Sequence, residues 1–125
     1  WRLYLRNVPG FLPHGNDTNS GHRAMYSLLS DAARQWARPV VAFLNHDPKT
    51  IALRIDLYMP FDRKEAEWKA ELLRFHDSQH QRNLRTRGHG FDERILNDNQ
   101  AVARELSITR TYAEAFELKQ YNRLQ

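Results

Sequence analysis

A continuous apolar run that directly follows an amphipathic helix constrains the fold of this chain most strongly. The run covers residues 40–44 after Pro39, and such a run is typical of a strand buried on both faces. The helix is predicted over residues 20–36, with Ser20 as its N-cap and Pro39 enforcing its stop. Its apolar residues recur with the spacing of one helical stripe: Met25, Leu28, Leu29, Ala32, Ala33 and Trp36. The sequence therefore predicts both a buried strand and a helix with one apolar face.

Three other segments alternate in the manner of strands. Residues 3–8 predict a short strand that ends at the turn signal Pro9-Gly10. Residues 51–58 place four apolar side chains on one face, and they form either a hairpin with residues 40–44 or a separate pass of the sheet. Residues 112–118 also alternate and are the last of these predicted strands.

Two more helices are predicted in the second half of the chain. The first covers residues 62–83 and begins with Asp62 and Glu65 in a capping-box arrangement. The second covers residues 91–106. His76 and His80 are four residues apart and would share one face of the first helix, as a metal-binding pair can. No acidic third ligand lies near them in the sequence, so solvated or core histidines are the favoured interpretation.

The length, charge and cysteine content of the chain narrow the classes of protein to which it can belong. A chain of 125 residues favours one domain. The net charge of +4 would suit a nucleic-acid binder, but no stacking aromatic side chains interrupt the densest basic run, residues 82–87. The absence of cysteine excludes disulfides, thiolate zinc sites and a cysteine nucleophile. No apolar run approaches the length of a membrane span, so we expect no membrane role. The absence of cysteine fits a reducing compartment, and the expected location is cytoplasmic.

The loop before the first predicted helix concentrates side chains that can do chemistry. It contains His14, Asp17 and Asn19, and His22 follows in the first helical turn. Polar groups fixed at a helix N-terminus form a recurrent site architecture. Glycine, asparagine, aspartate and serine are also the ordinary residues of turns, so a purely structural role for this loop remains open.

Three segments resemble one family when they are taken together. Residues 16–24, Asn-Asp-Thr-Asn-Ser-Gly-His-Arg-Ala, resemble the Asp-Thr-His-Pro-Asp-His-Arg-Ala segment of the PIG-L/LmbE-like zinc deacetylases. Residues 68–79 resemble their Lys-x-x-x-Leu-x-x-His-x-Ser-Gln stretch, and residues 111–116 their terminal Tyr-Ala-Glu-x-Phe. The segments occur in the family's order and cover nearly the whole chain, which matches the C-terminal half of the family's domain.

The resemblance implies a fold, a reaction and a metal ligand. The implied fold is α/β, the C-terminal half of a Rossmann-like (LmbE-like) sheet flanked by helices. Members of the family remove an acetyl group from an N-acetylated amino sugar with the help of one zinc ion. By correspondence His22 is the zinc ligand, and its place at a loop-to-helix junction is consistent with that role.

The resemblance also suggests roles for three loop residues. Asn19 stands where the family has a histidine that stabilises the oxyanion of the tetrahedral intermediate, and an amide can donate a hydrogen bond there. His14, in the same loop, is the candidate for a proton shuttle. Asp17 is the candidate for orienting the ligand histidine. The alternative that Asn19 and Asp17 only shape the turn remains open.

The family's N-terminal Ala-His-Pro-Asp-Asp motif, which supplies two zinc ligands and the general base, is absent from this sequence. We therefore expect residues 1–125 to be a single domain that forms the C-terminal part of a larger deacetylase domain. A missing N-terminal segment, or another polypeptide, would then complete the site, because a catalytic zinc needs about three protein ligands.

Three hypotheses follow for the function. The first is a zinc-dependent hydrolase that removes an acyl group from an N-acyl sugar or glycoconjugate. The second is a carbohydrate- or protein-binding module on the same fold, without catalysis. The third is a basic nucleic-acid binder, whose affinity would fall steeply with salt.

Overall fold

The computed structural model describes residues 10–122, which form an α/β fold with a four-stranded mixed sheet and four helices. No helix in this range is long and apolar enough to cross a membrane. The strands have the spatial order β1-β2-β4-β3. In chain order the elements are β1 (Gly10–Pro13), α1 (Ser20–Arg34), β2 (Val40–Asn45), β3 (Leu57–Phe61), α2 (Arg63–Arg74), α3 (Asp77–Arg87), α4 (Phe91–Glu105) and β4 (Tyr112–Tyr121).

The described residues divide into two compact units. The first unit consists of residues 10–57 and 115–122, and the second consists of residues 58–114. The first unit contains β1, α1, β2 and most of β4. The second contains α2, α3 and α4, together with most of β3 and the start of β4.

The first unit is built around a β1-α1-β2 crossover. β1 and β2 pair in parallel, from Gly10 opposite Ala42 to Pro13 opposite Asn45, so both strands end at the same edge of the sheet. β4 pairs antiparallel with the other side of β2. The buried core of this unit consists of Leu12, Ala33, Val40, Ala42, Leu44 and Tyr121. The crossover therefore brings the loops that follow β1 and β2 to one edge.

The second unit is a helical layer beside β3 and the start of β4. α4 packs against both α2 and α3. The rings of Phe61 and Tyr112 stack with their centroids 5.1 Å apart. The Lys69 ammonium group donates a 2.8 Å hydrogen bond to the Asn99 side chain and also pairs with Glu114. The buried apolar residues of the second unit are Phe61, Ala66, Ala70, Val102, Ala103 and Ala113.

The structure confirms several predicted elements. The apolar run lies in β2, although only its alternate residues are fully buried, so the prediction of burial on both faces was too strong. The predicted helix over residues 91–106 is α4, and the predicted strand over residues 112–118 lies within β4. The predicted strand over residues 3–8 lies outside the described residues.

Three other predictions about elements were wrong. Residues 51–56 form no regular strand, because β3 begins only at Leu57. The helix predicted over residues 62–83 is interrupted between Arg74 and Asp77, which separates α2 from α3. The N-cap of α1 is Asn19 and not Ser20.

The buried face of α1 also differs from the predicted stripe. Met25 and Leu28 are 47% and 67% exposed, although both belong to that stripe. The buried and half-buried positions of the helix are His22, Tyr26, Leu29, Ser30, Ala32 and Ala33. The helix therefore turns a partly polar face, with His22 and Tyr26 on it, away from solvent.

Candidate metal centre

Two loops meet at the edge where β1 and β2 end. The Thr18 N–H group donates to the Lys49 carbonyl oxygen at 2.9 Å, and the Ile51 N–H group donates to the Asn16 carbonyl oxygen at 2.9 Å. Asp17 and Thr50 form an isolated antiparallel bridge between the same loops. The backbone thus fixes the loop after β1 against the loop after β2.

Asp17, His22 and Asp47 converge at this junction. Each offers one ligand atom, and these three atoms all lie within 4.8 Å of one another. His22 Nδ1 is 3.1 Å from Asp17 Oδ2 and 3.7 Å from Asp47 Oδ2. The side chains of His22 and Asp47 are about one third exposed, so the cluster is open to solvent on one side.

Both carboxylates are oriented in the same way. Asp17 Oδ1 accepts the Asn19 N–H group at 2.7 Å, and Asp47 Oδ1 accepts the Lys49 N–H group at 2.7 Å. Each aspartate therefore caps its own turn with one oxygen, as aspartates commonly do in turns. The second oxygen of each is directed at His22.

Asp17 is the buried member of the cluster, with 2% of its surface exposed. Burial acts to raise the pKa of the Asp17 carboxyl group. The hydrogen bond from Asn19 N–H and the interaction with His22 outweigh burial, and the pKa is lowered. Asp17 is therefore ionised at neutral pH, and two carboxylates beside one imidazole attract a cation.

The donor set, one imidazole nitrogen and two carboxylate oxygens, is one that a divalent metal ion such as zinc can accept. Zinc accepts imidazole nitrogen and carboxylate oxygen, and catalytic zinc sites have three protein ligands and one open position. Two ligands on a tetrahedral zinc, with bonds of about 2.1 Å, lie about 3.4 Å apart. The His22–Asp17 and His22–Asp47 separations of 3.1 and 3.7 Å lie on either side of that value.

Sequence reasoning missed Asp47. It assigned one zinc ligand to this chain, His22, whereas the structure places three suitable donors together. The sequence did contain a signal for Asp47, because this residue lies in the turn directly after the predicted strand 40–44. Turns that follow parallel strands meet at one edge of the sheet. Asp17 contacts His22 through His22 Nδ1, the same atom that the cluster offers as a ligand, so Asp17 stands here as a third donor and its orienting role stays a prediction.

Asn19 has a clear structural role at the start of α1. Its side-chain oxygen accepts the N–H groups of Gly21 at 2.8 Å and His22 at 3.3 Å. This cap fixes the first turn, and with it the direction of the His22 side chain. An oxyanion role for Asn19 would use its amide nitrogen, since the oxygen already caps the helix.

His14 lies outside the three-residue cluster. Its Nδ1 accepts the Asn16 N–H group at 2.9 Å, and its Nε2 pairs with Glu117 on β4. Because Nδ1 accepts a hydrogen bond, neutral His14 carries its ring proton on Nε2, and this N–H group donates a hydrogen bond to Glu117. Both ring nitrogens therefore have partners, and the predicted proton shuttle would first have to break one of these bonds.

His14 lines a cavity of about 530 Å³ in the first unit. The same loop that supplies Asp17 to the cluster lines this cavity with residues 14–16. The ionisable side chains in the lining are His14, Tyr26, Arg54, Glu117 and Lys119. The cavity thus combines hydrogen-bond donors and acceptors with an aromatic ring.

Gly15 permits the Tyr26 ring to pack against this loop. A Cβ atom on Gly15 would lie 2.6 Å from Tyr26 Cδ1 and 2.7 Å from Cε1. Gly15→Ala is therefore expected to lower the free energy of unfolding by about 1–3 kcal/mol through overpacking. Urea unfolding measures this loss. In the background Tyr26→Ala, the added methyl group should cost less than about 0.5 kcal/mol, and an equal cost in both backgrounds would contradict the contact.

The structure does not bring His76 and His80 into a metal site. His76 precedes α3 while His80 lies within it, because the predicted helix is interrupted there. His80 Nδ1 is 3.6 Å from Asp92 Oδ1. Within residues 10–122, Asp17, His22 and Asp47 form the one group of three or more potential metal ligands.

Comparisons of the chain with protein-family models, curated proteins and solved structures found no match.

Proposed function

We propose that the protein is a zinc-dependent hydrolase that removes an acetyl or other acyl group from an N-acylated amino sugar or glycoconjugate. The observation that carries the proposal is the convergence of Asp17, His22 and Asp47 at the carboxyl ends of two parallel strands. The resemblance of residues 16–24 to the PIG-L/LmbE-like deacetylases supplies the substrate class. The β1-α1-β2 crossover supports a Rossmann-like arrangement around the site.

In this proposal Asp17, His22 and Asp47 hold the zinc ion. A bound zinc ion makes water available as a nucleophile near neutral pH. The hydrogen bond from Asn19 N–H holds the Asp17 carboxylate in its ionised form and fixes its orientation. The open side of His22 and Asp47 leaves room for an acyl group to approach. The Asn19 amide nitrogen is the proposed donor to the developing oxyanion.

The test combines zinc titration with an assay of deacylation. Calorimetry of the metal-free protein with zinc should give one site per chain, and the zinc-loaded protein should release a free amine from N-acetylglucosamine. We expect His22→Ala to weaken zinc binding by on the order of 100-fold, with a matching loss of amine release. A chelator should also abolish the activity of the wild type.

The control for this test is His89→Ala. His89 lies in the second unit, where its Nδ1 is 3.2 Å from the Gly90 carbonyl oxygen. His89→Ala should leave zinc affinity and amine release within about 3-fold of the wild type. Unchanged zinc affinity in His22→Ala would refute the ligand assignment. Zinc binding without amine release, together with chelator-insensitive sugar binding, would favour the non-catalytic binding module.

A further inference from the structure

Thr50 closes the turn that presents Asp47. The Thr50 N–H group donates to the Asp47 carbonyl oxygen at 2.9 Å, and the Thr50 hydroxyl oxygen accepts the Asp47 N–H group at 3.0 Å. Hydroxyl groups of threonine commonly bind the backbone of turns in this way. Asp47 Oδ1 is held inside the same turn by the Lys49 N–H group. The Thr50 hydroxyl group is therefore one of the contacts that fix the conformation of Asp47.

The same hydroxyl group also reaches the loop after β1. Because its oxygen accepts a hydrogen bond from Asp47, its single hydrogen is left to donate, and the acceptor is Asp17 Oδ2 at 3.4 Å. This oxygen of Asp17 lies 3.1 Å from His22 Nδ1, whereas Asp17 Oδ1 accepts the Asn19 N–H group. The backbone bridge between Asp17 and Thr50 brings the two side chains together. One hydroxyl group thus joins the turn of Asp47 to the oxygen of Asp17 that faces His22.

The direction of Asp17 Oδ2 decides whether a cation at this junction meets a correctly placed ligand. The terminal torsion of an aspartate side chain is soft, so the contact of Oδ1 with Asn19 alone leaves Oδ2 free to swing. Hydrogen bonds to a ligating carboxylate orient it, and metal affinity depends on them. The Thr50 hydroxyl group supplies such a bond to the Asp17 oxygen that belongs to the cluster.

We propose that Thr50 is a positioning residue of the metal centre, whose hydroxyl group holds Asp17 Oδ2 toward the site while it closes the turn of Asp47. The inference rests on the proposed zinc-dependent function, because it concerns the same three ligands. Thr50 itself contacts neither the ion nor the substrate. Its side chain touches both loops, so it fixes the two carboxylates relative to each other and to His22.

The first test removes the hydroxyl group and then restores it. Thr50→Val keeps the branched shape of the side chain and is expected to weaken zinc binding by about 10-fold. This is the lower end of the range for partners of metal ligands, because 3.4 Å is long for a hydrogen bond between a hydroxyl group and a carboxylate. Thr50→Ala, a second variant without the hydroxyl group, should give a similar loss. Thr50→Ser keeps that group and should bind zinc within about 3-fold of the wild type. Calorimetric titration of the metal-free proteins with zinc measures all three.

Thr18→Val is the matched control, because it removes a threonine hydroxyl group from the same junction of loops. The Thr18 hydroxyl group donates to the Lys49 carbonyl oxygen at 3.2 Å, that is, to the backbone and not to a carboxylate. Its loss should leave zinc affinity within about 3-fold of the wild type. Circular dichroism establishes that each variant is folded under the conditions of the titration, and urea unfolding of the metal-free proteins compares their stabilities. A purely structural role of Thr50 predicts lower stability with unchanged zinc affinity.

A double-mutant cycle tests whether Thr50 acts through Asp17. In Asp17→Asn the amide oxygen can keep the bond from the Asn19 N–H group, and the amide nitrogen then takes the place of Oδ2. That nitrogen cannot accept the Thr50 hydroxyl group. Thr50→Val should therefore weaken zinc binding by less than about 2-fold in the Asp17→Asn background.

The zinc affinities decide the inference separately from the proposed function. Unchanged affinity in Thr50→Val, an equal loss in Thr18→Val, no recovery in Thr50→Ser, or the same loss in both backgrounds of the cycle overturns the positioning role. The hydrolase proposal then stands on the zinc binding and amine release of the wild type. A wild type that binds zinc but releases no amine removes the hydrolase proposal, and the same affinities still decide the role of Thr50. A wild type that binds no zinc overturns both. Loss in Thr50→Val that Thr50→Ser restores, and that disappears in the Asp17→Asn background, supports the assignment.

Discussion

Replacing Asp17 with alanine is expected to lower the free energy of unfolding by about 2–3 kcal/mol. Asp17 is 2% exposed and accepts hydrogen bonds from the Asn19 N–H group and His22. Its removal leaves the Asn19 N–H group and His22 without the partner that the buried carboxylate supplied. The junction between the loops after β1 and β2 should loosen as a result, and urea unfolding of the metal-free protein measures the loss.

Two further variants separate the charge of Asp17 from its shape. Asp17→Asn keeps an oxygen that can accept the Asn19 N–H group, so we expect it to lose less than about 1.5 kcal/mol. It should still weaken zinc binding by on the order of 100-fold, since an amide is a poor substitute for an ionised ligand. Asp31→Ala removes an exposed aspartate of α1 and should stay within about 0.5 kcal/mol of the wild type. An Asp17→Ala protein as stable as Asp31→Ala would contradict the structural role.

The pH dependence of the Asp17 contribution has a definite sign. The pKa of Asp17 is lowered in the folded state, so folding favours its charged form. This contribution is complete above the pKa of an unfolded aspartate, about 3.9, and is lost as pH falls through the lower folded-state pKa. The stability difference between wild type and Asp17→Ala should therefore shrink below about pH 4.

The helix α1 shows why the sequence revealed an element but not its buried face. Its apolar spacing predicted a helix correctly, yet Met25 and Leu28 face solvent. The polar side chains of Tyr26 and Ser30 turn inward because β4, about ninety residues later, supplies hydrogen-bond partners from Lys119 and Tyr121. A hydropathy pattern treats such residues as solvent-facing, since it contains no information on distant partners.

In residues 51–56 a contact with a distant strand likewise prevails over the local sequence pattern. Their alternation predicted a strand, but Ile51 is 64% exposed and the segment is irregular. Asp56 provides the physical reason, because its carboxylate binds the Arg54 guanidinium and also accepts the Leu118 N–H group of β4 at 2.8 Å. A side chain therefore satisfies a backbone donor that a paired strand would otherwise have bound.

No proline or glycine in the sequence marks the break between α2 and α3. The last turn of α2 tightens to the 3₁₀ pattern, in which the N–H groups of Phe75 and His76 donate to carbonyl oxygens three residues earlier. Asp77 then lies in the first turn of α3, where a negative charge is favourable. The single helix predicted over residues 62–83 placed His76 and His80 on one face, and this break removed the basis for that pairing.

Replacing Leu12 with alanine is expected to give the largest loss of stability, about 2–5 kcal/mol. Leu12 lies in β1, is completely buried and packs in the core of the first unit, opposite Leu44 in the parallel register. The neighbouring strands cannot close the cavity without shifting β1, which carries the loop of Asp17. Urea unfolding of the metal-free protein measures the loss.

Leu28→Ala is the matched control because it removes the same atoms from α1, where Leu28 is 67% exposed. Alanine is also the best helix former, so propensity adds no loss, and the change should stay within about 0.5 kcal/mol. The pair of variants decides between two orientations of the helix. A small effect of Leu28→Ala beside a large effect of Leu12→Ala supports the polar inner face that places His22 and Tyr26 beside the loop. A loss above about 2 kcal/mol for Leu28→Ala would restore the apolar stripe as the buried face. His22 and Tyr26 would then face solvent, and the proposed zinc site would lose its basis.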